Sequence, residues 1–264
     1  MSRVSTSLLS AEERVARPQP APQDAVLGGA LHHATTNGRI TIDPEAIVRN
    51  WHRLKRLAAR DCGAVVKADA YGCGLDVVAP ALARSGCDTF FVATAREGLR
   101  LRALVPDVAI YVLNGIFEDI RVAVEARLIP FISSRDALED WPQTAPFALN
   151  VDTGMNRLGL TVEEAIAMAV MVKPTLVASH FGCADTPEHP LNTSQEERFT
   201  TVREAYRGAR ASFANSAALL TRPRAHYDLA RPGIALYGGV SATTVAPLEP
   251  AVRLEARVIQ VRDA

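Results

Sequence analysis

A chain of 264 residues, 48% hydrophobic and 22% charged, is long enough for one large domain with a substantial core and has an ordinary globular composition. Its 29 basic and 29 acidic side chains cancel, so no long-range field draws it to nucleic acid or to an anionic membrane surface. No apolar run approaches a membrane span, and the four cysteines (Cys62, Cys73, Cys87, Cys183) show neither metal spacing nor a disulfide framework, so we expect a cytoplasmic protein with reduced thiols.

Residues 1–38 contain Arg17-Pro18-Gln19-Pro20-Ala21-Pro22 and no sustained periodicity, and their apolar pieces are too short for a secretory leader. A flexible extension is expected there. Residues 39–42 alternate like a strand. Asp43 then reads as a helix N-cap with Pro44 at the first helical position, and Ala46, Ile47, Trp51, Leu54 and Leu57 carry a helix to about residue 59.

Residues 64–66 form a short buried strand that ends at Lys67, one of only three lysines (with Lys55 and Lys173) in a chain whose other basic residues are arginines. An amine can lose its proton and form a Schiff base, which a guanidinium cannot do. The plainer alternative is a buried stem whose head reaches solvent. A helix over 75–84, stopped by Ser85-Gly86, follows. Strands are then predicted at 89–93, 109–113, 128–132, 147–151, 177–180, 211–214 and 227–229. Helices are predicted between them, near 95–104, 117–126, 135–141, 161–171, 194–210 and 216–221.

Counted from 64–66, these are eight strands, each followed by a crossover, which implies a parallel sheet. The α/β class in the form of a (β/α)8 TIM barrel over residues 39–250 fits eight such units. An open doubly wound sheet fits less well, because Gly72-Cys73-Gly74 lacks the third glycine of its phosphate turn. Residues 247–250 read as a linker. Residues 251–261 alternate as a strand, and 251–264 is expected to open a C-terminal β domain that the sequence does not contain.

Active sites of such barrels lie at the C-terminal strand ends. Those positions hold Lys67 and Tyr71, Asn114, Asp152 with Asn156 and Arg157, His180, Asn215-Ser216, and Arg231 with Gly233-Ile234. Each has an ordinary alternative: Tyr71 a surface aromatic, Asn114 a turn, Arg157 a partner for Asp152, His180 a core histidine, Ser216 a helix cap. Together they exceed what solvation explains. Asn215-Ser216 opens a helix and Gly233 permits close backbone approach, in the two loops where barrels frequently bind phosphate. A phosphate there and a strand-end lysine suit pyridoxal phosphate. No His, Cys or carboxylate group has metal spacing, so no catalytic metal is expected.

The segments Val65-Val66-Lys67-Ala68-Asp69-Ala70-Tyr71-Gly72, Val151-Asp152-Thr153-Gly154-Met155-Asn156-Arg157-Leu158-Gly159, Ser179-His180-Phe181-Gly182, Asn215-Ser216 and Ala230-Arg231-Pro232-Gly233-Ile234-Ala235-Leu236-Tyr237-Gly238, in that order, resemble the alanine racemases. The resemblance implies a homodimer with an N-terminal barrel and a C-terminal β domain, interconverting L- and D-alanine for peptidoglycan synthesis. It implies that Lys67 carries pyridoxal phosphate and acts as base on one face of the substrate. Tyr71, Ser216, Gly233 and Ile234, next to Asn215, would hold the phosphate. Arg231 would face the pyridine nitrogen with His180 hydrogen-bonded behind it, and Arg157 would position the substrate carboxylate.

Two departures stand out. Asn150 occupies the position where many members carry a carbamylated lysine that orders the arginine. The family's second base is a tyrosine of the partner's C-terminal domain, so this chain alone is expected to racemise poorly. Strand 39–42, which pairs with that domain in the family, is expected to lose most of its partners. A non-catalytic pyridoxal-phosphate carrier is the alternative reading. A related decarboxylase would place a carboxylate, not Arg231, at the ring nitrogen.

Overall fold

Gly63 divides the first barrel strand into two pieces that face different neighbours. The computed structural model describes residues 38–239 and 247–262, so the extension expected over 1–37 lies outside them. In chain order the elements are β1 (Gly38–Ile42), α1 (Pro44–Leu57), β2 (Asp61–Cys62), β3 (Ala64–Val65), a single turn α2 (Lys67–Tyr71), α3 (Leu75–Arg84), β4 (Thr89–Val92), α4 (Ala95–Leu104), β5 (Ala109–Val112), α5 (Ile120–Glu125), β6 (Leu128–Ile132), α6 (Arg135–Asp140), β7 (Ala148–Asn150), α7 (Val162–Met168), β8 (Leu176–Ala178), α8 (Pro190–Ala205), β9 (Arg210–Ser212), α9 (Ser216–Thr221), β10 (Leu229–Ala230) and β11 (Val252–Ala256).

Strands β3 to β9 pair in sequence order, all parallel. Beyond β9 the Asp228 N–H donates to the Ala211 carbonyl (3.0 Å) and the Arg231 N–H to the Ala214 carbonyl (2.9 Å). Strand β10 then pairs in parallel with β2, and the Gly63 N–H donates to the Ala230 carbonyl (3.0 Å). The ring is therefore closed, as a (β/α)8 barrel requires. A Cβ on residue 63 would lie 2.8 Å from the Phe91 ring and 2.9 Å from the Thr89 carbonyl, so the crossing from β2 to β3 needs glycine.

Two apolar layers result. Val65, Phe91, Tyr111, Phe131, Ala148, Leu176, Ala178 and Leu229 fill the barrel interior. Phe91 stacks on Tyr111 with ring centroids 5.0 Å apart, and Phe131 meets both edge-on. The second layer lies between strands and helices. There α1 buries Ile47, Trp51 and Leu54, and the Trp51 indole N–H donates to the Cys62 carbonyl (3.2 Å).

Local chemistry sets the element ends. Asp43 caps α1 by accepting from the Ala46 N–H (3.0 Å), with Pro44 next, as expected. Helix α8 begins at Pro190, not near 194. Its proline occupies the first turn and the His189 side chain accepts from the Leu191 N–H (3.2 Å). It ends at Ala205, because Arg210 already belongs to β9, where the Arg210 N–H donates to the Thr175 carbonyl (3.2 Å). Helix α5 starts later than expected, at Ile120, and α7 stops earlier, at Met168. The last barrel strand is Leu229–Ala230 and not 227–229, since Tyr227 has a positive φ of 48° that a strand cannot contain.

The tail corrects three further expectations. Strand β1 keeps a partner along its whole length: it pairs antiparallel with β11, from Gly38 opposite Ala256 to Ile42 opposite Val252. The expected strand over 251–261 ends at Ala256. The segment read as a linker is docked on α1. Buried Asn50 donates to the Leu236 and Glu249 carbonyls (3.0 and 2.8 Å) and accepts from the Glu249 N–H (2.8 Å). Among the described residues no helix is long and apolar enough to cross a membrane.

Candidate active site

The barrel places the C-terminal ends of its strands around one cavity of about 400 Å³. Lys67, Tyr71, Asn114, Asn150, Arg157, His180, Asn215, Ser216, Arg231, Gly233 and Ile234 all line it. Lys67 follows β3. The chain turns there through four consecutive non-glycine residues with left-handed dihedrals: Ala68, Asp69, Ala70 and Tyr71, with φ of 52°, 53°, 56° and 56°. Such residues cost roughly 1–2 kcal/mol each, so the turn has to be held by its surroundings. Nothing in the residue types predicted it. No carboxylate among the described residues pairs with the Lys67 ammonium.

Across the mouth, Ser216 Oγ accepts from the Gly233 N–H (2.9 Å) and the Ala235 N–H (3.2 Å), which leaves the hydroxyl proton free to donate. A Cβ on residue 233 would collide with the Tyr71 hydroxyl oxygen. Only glycine lets phenol and loop approach this closely. Burial pushes the Tyr71 phenol pKa up, so it stays a protonated donor at neutral pH. Asn215, in the cavity wall, caps α9 by accepting from the Ala218 N–H (3.0 Å). These groups form a cradle of donors with no negative charge in it. It suits a phosphate.

Arg231 is buried inside the barrel mouth. Its guanidinium donates to Ser212 Oγ (2.5 Å) and the Ser179 carbonyl (2.6 Å), and lies 6.0 and 5.9 Å from the Phe91 and Phe131 ring centroids. Among the described residues no carboxylate pairs with it. Burial first, and the nearby Arg157 charge second, lower its pKa to about 10, so it remains a cation at neutral pH. The expected Arg231–His180 hydrogen bond is not formed: the donors of Arg231 go to Ser212 and Ser179 instead. Nothing in the residue types marks these two serines as its partners. His180 contributes its carbonyl, which accepts from Gln195 Nε2 (2.9 Å). Burial and the charges of Arg231, Arg157 and Lys67 pull its imidazole pKa down to about 3. It is a neutral ring.

The Arg157 loop also differs from the expected pairing. Asp152 Oδ1 accepts from the backbone N–H groups of Gly154, Met155 and Asn156 (2.8, 2.9 and 3.1 Å), so it builds the turn and does not pair with Arg157. Asp152 and Asn156 lie outside the main cavity, while Arg157 is exposed at its edge. Asn150 donates to Ser133 Oγ (3.0 Å) and to the Leu158 carbonyl (3.2 Å). It thus orders the backbone next to Arg157, not the guanidinium itself. Behind this loop lies a buried network the sequence did not reveal. Thr153 Oγ1 is 2.8 Å from Ser179 Oγ and accepts from Gln195 Nε2 (3.2 Å), while Arg198 donates to the Thr153 carbonyl (2.9 Å).

Comparison with known proteins agrees with this geometry. The family model "Alanine racemase, N-terminal domain" matches residues 42–241. The biosynthetic alanine racemase of Agrobacterium fabrum is 42% identical over 86% of this chain and 62% of its own length. An alanine racemase of Rhizobium meliloti is 42% identical over 86% of this chain and 64% of its length. Among solved structures, alanine racemase from Bartonella henselae with covalently bound pyridoxal phosphate superposes with a TM-score of 0.79 at 36% identity, covering 85% of this chain and 67% of that one. The biosynthetic enzyme of Pseudomonas aeruginosa gives 0.76 at 36% identity, covering 83% and 65%. The chain spans less than two thirds of the length of the curated relatives it matches here. The family model spans most of the closed barrel, and the chain belongs to the alanine racemase N-terminal domain family.

Proposed function

We propose that this chain is the cofactor-binding barrel of an alanine racemase, which interconverts L- and D-alanine with pyridoxal phosphate held covalently on Lys67. The carrying observation is that Lys67, the Tyr71–Ser216–Gly233 cradle and the unpaired Arg231 guanidinium share one cavity. The group fits on three counts: an amine for its aldehyde, a glycine-floored ring of donors for its phosphate, and a cation for its ring nitrogen.

Pyridoxal phosphate, when bound, supplies an electron sink for a carbanion at the substrate Cα. The chain's own residues do the rest. Tyr71, Ser216 and the backbone at Gly233 and Ile234 would hold the phosphate, with Asn215 fixing the helix end beside them. Arg231, a cation at neutral pH, would face the pyridine nitrogen and disfavour its protonation. That would restrain charge flow into the ring and with it side reactions such as transamination. The Ser212 and Ser179 bonds fix the guanidinium in place. Arg157 orients the substrate carboxylate. The Lys67 amine would move the Cα proton on one face of the substrate. Among the described residues Tyr71 is the only tyrosine lining the cavity, and its hydroxyl is packed against Gly233. In this reading the proton on the opposite face would come from a tyrosine of a partner subunit, as the resemblance implies. We place the protein in the cytoplasm as a homodimer that supplies D-alanine for peptidoglycan. The exposed apolar Leu158 and Ile234 at the cavity support a partner covering it.

The test is direct. The purified chain incubated with pyridoxal phosphate should develop a visible absorbance band that borohydride bleaches and that Lys67→Ala lacks. Product D-alanine from L-alanine separates a racemase from a carrier. An unchanged spectrum in Lys67→Ala would exclude the reading.

A further inference from the structure

The left-handed turn after Lys67 is held from the neighbouring βα loop by one carboxylate. Glu97 is the third residue of α4 and forms a capping box with Thr94: the Glu97 N–H donates to Thr94 Oγ1 (3.3 Å), and Glu97 Oε2 accepts from the Thr94 N–H (3.3 Å). An ordinary capping box needs no more than this. Here Oε2 also accepts from the Ala93 N–H (2.7 Å), and Oε1 reaches across to the Ala68 N–H (2.8 Å), the residue next to Lys67. One turn further along α4, Arg100 donates to Asp69 Oδ1 (2.8 Å), and the same Asp69 oxygen accepts from the Leu75 N–H (2.9 Å). Arg100 also grips Asp76 (2.6 and 3.1 Å). Residues three apart share a helix face, so α4 presents an acceptor and a cation side by side to one turn.

We propose that Glu97 is a positioning residue for Lys67: its carboxylate clips the left-handed turn shut and thereby fixes the direction in which Lys67 enters the cavity. This rests on Lys67 being the amine that captures the cofactor aldehyde. The residue type is specific. Three N–H donors converge on Glu97 from two sides, and a carboxylate offers an acceptor to each side. A glutamine offers one oxygen, so its NH2 must face donors on the other side. An aspartate keeps the charge near the helix start but is one methylene too short to span both loops.

The experiment uses the full chain with Glu97→Gln, Glu97→Asp and, as a control, Thr94→Ala, which weakens the helix cap without touching Ala68. Amide hydrogen exchange at residues 68–71 is read without cofactor. The rate of condensation of Lys67 with added pyridoxal phosphate, which releases one water, is read by absorbance. In both Glu97 variants we expect exchange at 68–71 to accelerate at least tenfold and condensation to slow at least fivefold. Thr94→Ala should stay within twofold of wild type in both. Should Glu97→Gln fail to fold, Glu97→Asp alone decides. Unchanged exchange and condensation in the folded Glu97 variants, or equal effects in Thr94→Ala, would overturn the proposal and leave Glu97 a helix cap. If the wild-type chain takes up no cofactor, the reading of the site fails instead, and the exchange comparison still tests the clip.

Discussion

The phenol oxygen of Tyr71 occupies the space that a Cβ at Gly233 would need, so the turn after Lys67 and the loop after β10 interlock on the side of the cavity that faces Ser216. Gly233→Ala should therefore push Tyr71 and the loop apart and weaken pyridoxal-phosphate binding at least tenfold. Tyr71→Phe alone should lose a hydrogen bond to a charged group, about 1.5–3 kcal/mol. The double variant should bind better than the sum of the two losses predicts, because the smaller ring relieves part of the clash. Equilibrium titration of cofactor absorbance across the four proteins measures this. Strict additivity would mean that the two positions do not interact.

Asn150 ties Ser133 to the Leu158 carbonyl and so steadies the loop carrying Arg157. Asn150→Ala removes two side-chain hydrogen bonds of about 0.5–1.5 kcal/mol each. The KM for alanine should rise several-fold, with little change in cofactor affinity. Arg157→Ala should raise it further, and adding Asn150→Ala to Arg157→Ala should then do almost nothing. Steady-state kinetics of the assembled enzyme checks both statements.

His180 gives an acid-side dependence whose sign follows from its lowered pKa. The imidazole ordinarily titrates near 6.5 and is pulled down to about 3 by burial and by its cationic neighbours. As pH falls through this interval the unfolded chain takes up a proton that the folded chain refuses, so the folded state loses stability, by at most about 1.4 kcal/mol per pH unit. The contribution is intact above about pH 6.5 and is lost toward pH 3. His180→Asn should flatten this slope and move the acid-unfolding midpoint lower, as urea midpoints measured from pH 7 to pH 4 would show.

Asn50 is fully buried and holds three backbone groups of Leu236 and Glu249. Asn50→Ala leaves those groups unpaired, at a cost of about 2–4 kcal/mol. Faster proteolysis near residue 249 should accompany the drop in denaturation midpoint. A stable variant whose tail stays protected would show that Arg49 and Arg53, which also pair with Glu249, provide most of the docking.

With only one base for the substrate among the groups assigned here, the 264-residue chain loaded with cofactor should exchange the Cα hydrogen of alanine for solvent deuterium faster than it forms the mirror-image product. Mass and chiral analysis of the same sample compares the two rates. Equal rates would place a second proton carrier within this chain.

The sequence by itself determined the alternation of buried strands with helices, because burial on both strand faces and a cap such as Asp43 are short-range requirements written in residue type. It also determined which polar residues stand at strand ends, and barrel closure brings those lining residues to one cavity. Tertiary structure alone decided what each does there. The donors of Arg231 find Ser212 and Ser179 rather than His180, because partners 19 and 52 positions away meet only when the ring closes. Asp152 turns inward to its own backbone and leaves Arg157 alone. The left-handed turn behind Lys67 had no local signal, since alanine and tyrosine do not favour it and aspartate adopts it only as a single residue. Contacts from α4, far along the chain, hold it in place.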